Sequence, residues 1–142
     1  LMGVSPLLLL VAAGLSIMMI DAFTRDRAEL AVVTAASLFM AAALAGALLV
    51  TDDLATAPEL VTRYLAVDRL GLFFDMVICV GAGLSALLAG GYLREHGFER
   101  GEFYVLLVFT AFGAMVLARA VDLLSIFVGL ETMSLGAYAL VA

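Results

Sequence analysis

Glu131 is the one carboxylate in the segment LLSIFVGLETMSLGAYALVA, Leu123 to Ala142, a run of otherwise apolar, small and hydroxyl side chains that follows Asp122. If that run crosses a membrane, a rise of 1.5 Å per residue from Asp122 puts Glu131 roughly 13 Å into a hydrocarbon core about 30 Å thick. A charge at that depth costs about 2.5 to 3.5 kcal/mol on insertion scales, so such a residue is expected to be functional and to face protein or a wet cavity. Desolvation raises a carboxyl's proton affinity and a nearby cation lowers it. A group held between the two can take up and release a proton near neutral pH, as a proton relay requires. The competing reading is a structural glutamate bonded to a neighbouring helix, although the polar glue between membrane helices is normally Ser, Thr, Asn or Gln.

Three further charged residues are possible supports for that site. Asp75 lies roughly 8 Å into another apolar run, where it is expected to pair with Arg69 or to reach interfacial water. Arg119 and Asp122 have a spacing that permits an ion pair, and Arg119 is expected to snorkel toward the surface, a mainly orientational role. His96 sits in the polar stretch REHGFERGE with no second ligand near it in sequence, so it is expected to be a solvated loop histidine. Cys79 is the one cysteine, which excludes a disulfide framework and metal-ligand spacing and leaves a small hydrophobe. No phosphate loop, nucleophile elbow, CxxC pair or haem-ligand spacing is present. No cofactor and no metal are therefore expected in this chain. What remains is moving or relaying a proton or ion, or building a membrane scaffold.

The elements that must position these residues follow from composition. With 142 residues, 65% of them hydrophobic and 14% charged, and a mean hydropathy of +1.20, the chain is outside the balance of a water-soluble domain. Leu1 to Ile20 and Leu30 to Thr51 carry no charge, Leu70 to Leu93 only Asp75, Phe103 to Ala118 none, and Leu123 to Ala142 only Glu131. Runs of about 20 apolar residues are the signature of spanning helices. The expected fold is all-α: a multi-pass transmembrane bundle of five spanning helices over 2–21, 29–51, 70–93, 103–120 and 123–142, forming one membrane domain over 1–142. The first run has no positive n-region and no cleavage site, so it reads as a retained helix. The opening at Leu1 and the lack of a polar flank after the fifth helix suggest a piece of something longer. The one substantial loop, 52–69, has Pro58 just before a short amphipathic stretch suited to the interface.

The net charge of −6 and the absence of lysine exclude a nucleic-acid partner. Arg25, Arg27, Arg94 and Arg100 fall on one side of the membrane, and Arg63, Arg69 and Arg119, diluted by acidic residues, on the other. By the positive-inside rule the N-terminus and loop 52–69 are outside. Small residues mark helix contacts in lipid. Gly81 and Ser85 are expected on one packing face of the third helix, which also carries Gly83, Gly90 and Gly91. Ser125 and Gly129 share the same spacing on the fifth, followed by Ser134 and Gly136.

The run GEFYVLLVFTAFGAMVLARAVDLLSIFVGLETMSLGAYALVA, Gly101 to Ala142, resembles the fourth and fifth helices of subunit N of the proton-translocating NADH-quinone oxidoreductases, respiratory complex I. It carries a GEFY-type opening, then DLL, F-x-G-x-E, a Ser-Leu pair and a Tyr before LVA. VDRLGLFF, Val67 to Phe74, fits the family's third helix, and the resemblance extends less distinctively to the first residues. It implies roughly the first third of an antiporter-like subunit of about fourteen helices built on inverted repeats. It further implies that Glu131 belongs to a proton path, paired with a lysine on a later helix. The wider complex would use NADH and quinone, with its other membrane subunits as partners, in a bacterial inner membrane with the N-terminus outside. Two positions depart from the family: Gly136 stands where proline is common, and Arg119 where a small residue is usual. The alternatives are a related sodium/proton antiporter or membrane-bound hydrogenase subunit, and a scaffold with a structural glutamate.

Overall fold

An apolar run in lipid has one open-ended solution, the helix, because it satisfies every backbone N–H and C=O within the segment. In the computed structural model, which describes residues 2–23, 28–51, 59–96 and 101–141, five helices are long and apolar enough to cross a membrane. A single 3-10 turn, Met2–Val4, leads into α1 (Ser5–Phe23), followed by α2 (Ala28–Val50), the one-turn α3 (Glu59–Thr62), α4 (Arg69–Glu95), α5 (Gly101–Arg119) and α6 (Leu123–Val141). No strand occurs among the described residues, only one isolated bridge between Leu65 and Ala120. Pro6 sits in the first turn of α1, where its missing N–H removes no intrahelical bond. The expected spans hold to within three residues at each end. α4 runs on through Arg94 and Glu95, and α5 starts at Gly101 with Glu102 in its first turn, favourable for the helix dipole.

The bundle is apolar on the outside as well as within. Its interior is rich in alanine (Ala31, Ala35, Ala41, Ala42, Ala45 and Ala86), while Phe23 (84% exposed), Leu88 (76%) and Leu123 (84%) point outward. That distribution suits hydrocarbon outside and close backbone approach inside. The most extensive contacts are α2 with α4 and α5 with α6, and α1 touches both α2 and α5. α6 packs principally on α5 and buries only Ser125, Gly129 and Gly136.

Small residues act at different positions from those expected on α4. Gly81 has no atom within 4 Å of where its Cβ would be, and the Ser85 hydroxyl merely donates back to the Gly81 carbonyl at 2.9 Å. That face, with Gly91, points away from the bundle. The packed face of α4 is the stripe Leu72, Asp75, Cys79, Gly83, Ala86 and Gly90, with Gly83 under the Phe39 ring and Gly90 against Ala31. Spacing of four defines a face but not its neighbour; burial of the polar Asp75 decides which face turns inward.

On α6 the expected Ser125 and Gly129 do face α5. A Cβ on Gly129 would stand 2.7 Å from the Leu117 amide nitrogen, and one on Gly113 would stand 2.5 Å from that of Met133. Gly129→Val is therefore expected to separate α5 from α6 at a cost of about 1–3 kcal/mol, read as a lower thermal midpoint of the full-length subunit in detergent. Gly81→Val, on the outward face of α4, should leave that midpoint within the scatter of wild type.

Candidate functional site

Arg119 ends α5, and its position in the helix register determines where the cation goes. Tyr104, Val108, Ala111, Met115 and Arg119 repeat every three or four residues and are all buried, so the guanidinium lies on the inward stripe. It makes a buried ion pair through Nη2 with Oδ2 of Asp75, both side chains being fully inaccessible, and Nη1 donates to the Gly3 carbonyl at 2.6 Å. One side chain thus joins the 3-10 turn, α4 and α5. Asp75 Oδ1 and Arg119 Nε are buried and have no hydrogen-bond partner among the described residues.

The backbone beside Arg119 is fastened from the other direction. Ala66 N–H donates to the Arg119 carbonyl at 2.7 Å and Val121 N–H to the Tyr64 carbonyl at 3.1 Å, so residues 64–66 strap the α5–α6 turn. Two aspartates close the neighbouring helix starts as N-caps. Asp68 Oδ1 accepts from the Gly71 amide at 2.8 Å, and Asp122 Oδ1 from the Ser125 amide at 2.9 Å.

These bonds correct the expected pairings. Arg119 does not snorkel to the surface or take Asp122 as its partner, and Asp75 pairs with Arg119 and not with Arg69 or interfacial water. The i,i+3 rule holds within one continuous helix, but α5 stops at Arg119 and α6 starts at Leu123, while the Asp122 carboxylate is occupied by the cap. The signal for the true pair was the register of α4 and α5, which places Asp75 and Arg119 on inward stripes.

Hydrogen bonding from Ser125, side chain and backbone, holds the Asp122 carboxyl below its ordinary range. A depressed value means that the ionised cap contributes stability above the usual carboxylate pKa and loses it as pH falls through the lowered one. Asp122→Asn is expected to stay closer to wild type in thermal midpoint than Asp122→Ala, and the gap between wild type and Asp122→Asn should shrink on acidification below the ordinary carboxylate range. A gap that widens on acidification would contradict the cap.

Glu131 is half-buried and lies apart from this cluster. Gly129 faces α5, and two residues further on is about 200° around a helix, so Glu131 is on the side of α6 turned away from α5, with Phe127 and Tyr138, both exposed. Its carboxylate has no ion-pair or hydrogen-bond partner among the described residues; only its backbone carbonyl accepts, from the Ser134 hydroxyl at 3.2 Å. From Leu123 it stands about 12 Å along the helix. The expectation that Glu131 faces protein is not met by α1–α5.

The other candidates are locally occupied. His96, exposed at the end of α4, stacks on Tyr92 with ring centroids 4.2 Å apart, and its Nδ1 donates to the Tyr92 carbonyl at 3.0 Å. Cys79 is buried with its Sγ 3.7 Å from Met115 Sδ. No group of three or more His, Cys, Asp or Glu able to hold a metal ion occurs among the described residues. Arg25, Arg27, Arg100 and loop residues 52–58 lie outside the described residues.

No family model matches the chain. It is 45% identical over 97% of its length to NADH-quinone oxidoreductase subunit N 1 of Sorangium cellulosum, of which it covers 30%. It is 34% identical over 95% of its length to subunit N of Myxococcus xanthus, covering 26% of that protein, and 34% identical over 97% of its length to subunit N of Granulibacter bethesdensis, covering 28%. The chain therefore spans less than a third of the length of these curated relatives and corresponds to their N-terminal part. Five apolar spans, the GEFY and F-x-G-x-E motifs and similarity along nearly the whole chain agree: it belongs to the subunit N family of NADH-quinone oxidoreductases.

Proposed function

We propose that this chain is the first part of a proton-translocating membrane subunit of a bacterial NADH-quinone oxidoreductase and that Glu131 is a member of its proton path. The observation that carries the reading is the placement of a lone carboxylate about 12 Å along α6, on the side turned away from α5 and without a partner in α1–α5. An intramembrane carboxylate needs a cation or water to remain there. Segments of the longer subunit N proteins that this chain does not span would cover that side of α6 and supply the cation, a lysine by the family resemblance.

In this reading the redox chemistry, with NADH and quinone, resides in other subunits, which are also the partners of this one. The chain lies in the plasma membrane with the N-terminus, the strap and the Asp75–Arg119 pair at the outer side. Proton traffic at Glu131 requires that it alternate between an ionised, cation-paired form and a protonated form. The test is Glu131→Gln in the full-length subunit within its complex. Normal assembly with reduced proton translocation supports the reading, and full translocation overturns it.

A further inference from the structure

The stripe of α6 that carries Glu131 continues toward the α5–α6 turn as Val128 and Leu124. At spacings of three and seven residues the three side chains lie within about 60° of one another around the helix, and Val128 and Leu124 are both exposed. There the stripe runs into a predominantly apolar groove of about 280 Å³. Val116 of α5 and Leu124, Ser125 and Val128 of α6 wall it, and Tyr64 and Leu65 of the strap complete it. An apolar cavity of about 150 Å³ already takes up a benzene ring, so the groove has room for a large side chain. A groove open to the membrane could hold an acyl chain or a side chain of another helix, and the neighbouring carboxylate decides between them. Glu131 stands one turn from Val128, half-buried, and its carboxylate has no partner among the described residues. Such a group at membrane depth faces protein or water and not acyl chains. Groove and carboxylate share one stripe, so what covers one covers the other.

We propose that the groove beside the strap seats a large apolar side chain of one membrane helix, and that the same helix carries the cation for Glu131. Its source is the part of the subunit N proteins that this chain does not span, since the chain covers only 30% and 26% of two such relatives. Leu124 and Glu131 are seven residues apart, about 10 Å along α6. A helix crossing α6 at a shallow angle of about 20° therefore presents its apolar and basic residues about seven apart, on one face. The apolar side chain, held between α6 and the strap, keeps that helix from sliding along α6 and so fixes the depth of the cation. Residues 64–66 thereby act at a distance on Glu131: their backbone bonds hold the α5–α6 turn, and Tyr64 and Leu65 shape the seat. The cation half of the proposal rests on the relay reading of Glu131; the seat itself does not require proton movement.

The test places the photoreactive residue p-benzoylphenylalanine in place of Leu124, in the full-length subunit within its assembled complex in native membranes. Mass spectrometry of the joined peptides identifies the adduct. The expected adduct is to an apolar segment of the same subunit that has a Lys or Arg roughly seven residues from the joined position, two helical turns away. An adduct to phospholipid, to another subunit or to a segment without that basic residue overturns the proposal, as does the absence of any adduct. A second measurement avoids the bulky probe. Val128→Phe fills the groove; a fluid acyl chain gives way to the added ring and a seated helix does not. The thermal midpoint of the full-length subunit in detergent should therefore fall by about 2–4 °C, and an unchanged midpoint overturns the seat. The two readings fail separately. The expected adduct with unimpaired translocation in Glu131→Gln would reject the relay and leave the seat standing, whereas a phospholipid adduct with deficient translocation in Glu131→Gln would reject the seat and leave the relay.

Discussion

Arg119→Gln or Asp75→Asn alone is expected to lower the stability of the subunit by about 3–5 kcal/mol, the cost of leaving one buried charge without its partner. Both side chains are fully inaccessible, and the backbone beside Arg119 is held by the strap at residues 64–66. Loss of Arg119 also frees the Gly3 carbonyl, adding an unsatisfied acceptor. The neutral double variant should recover most of the loss, because a buried ion pair is often close to break-even against a neutral replacement that fills the same space. Thermal unfolding of the detergent-solubilised subunit checks this: both singles should melt well below wild type and the double between them and wild type. A double no better than the worse single would show that the two charges are not coupled.

Glu131→Gln has the opposite profile, with little effect on folding and a large one on transport. α6 holds to α5 through Ser125, Gly129 and Gly136, none of which the substitution touches. The amide keeps the size and hydrogen-bonding capacity of the carboxylate, on a side of α6 that α5 does not cover, so assembly should be near normal. In the proposed relay, transport depends on the one property the amide lacks, the capacity to hold and release a proton. The proton-transfer step should slow by roughly a hundredfold or more, since a positioned proton carrier contributes about 10²–10⁴-fold. Glu131→Asp keeps the proton and shortens the reach by one methylene, so its defect should be milder.

The spans were legible in the sequence because charge-free run length in lipid has a single reading, and Asp75 in α4 did not obscure it. Packing faces were less legible. Gly81 and Ser85 have the spacing of a contact and face away, whereas Gly129 with the same spacing meets α5, because spacing defines a stripe and only the other helices decide which stripe is covered. The Asp75–Arg119 pair joins residues 44 apart in sequence, beyond any local rule. Arg119 and Asp122 misled because the helix breaks between them. Glu131 stands out in the sequence as the lone carboxylate of its helix, but its direction was not readable until the glycines of α6 were seen against α5.

The most direct test of a proton path through Glu131 is the number of protons translocated per NADH oxidised, measured in vesicles holding equal amounts of assembled complex with wild-type subunit or Glu131→Gln. A relay at Glu131 predicts fewer protons per NADH or a proportional slowing of both fluxes, in a complex that assembles normally. Wild-type proton yield and wild-type NADH oxidation rate in the Glu131→Gln complex would contradict it.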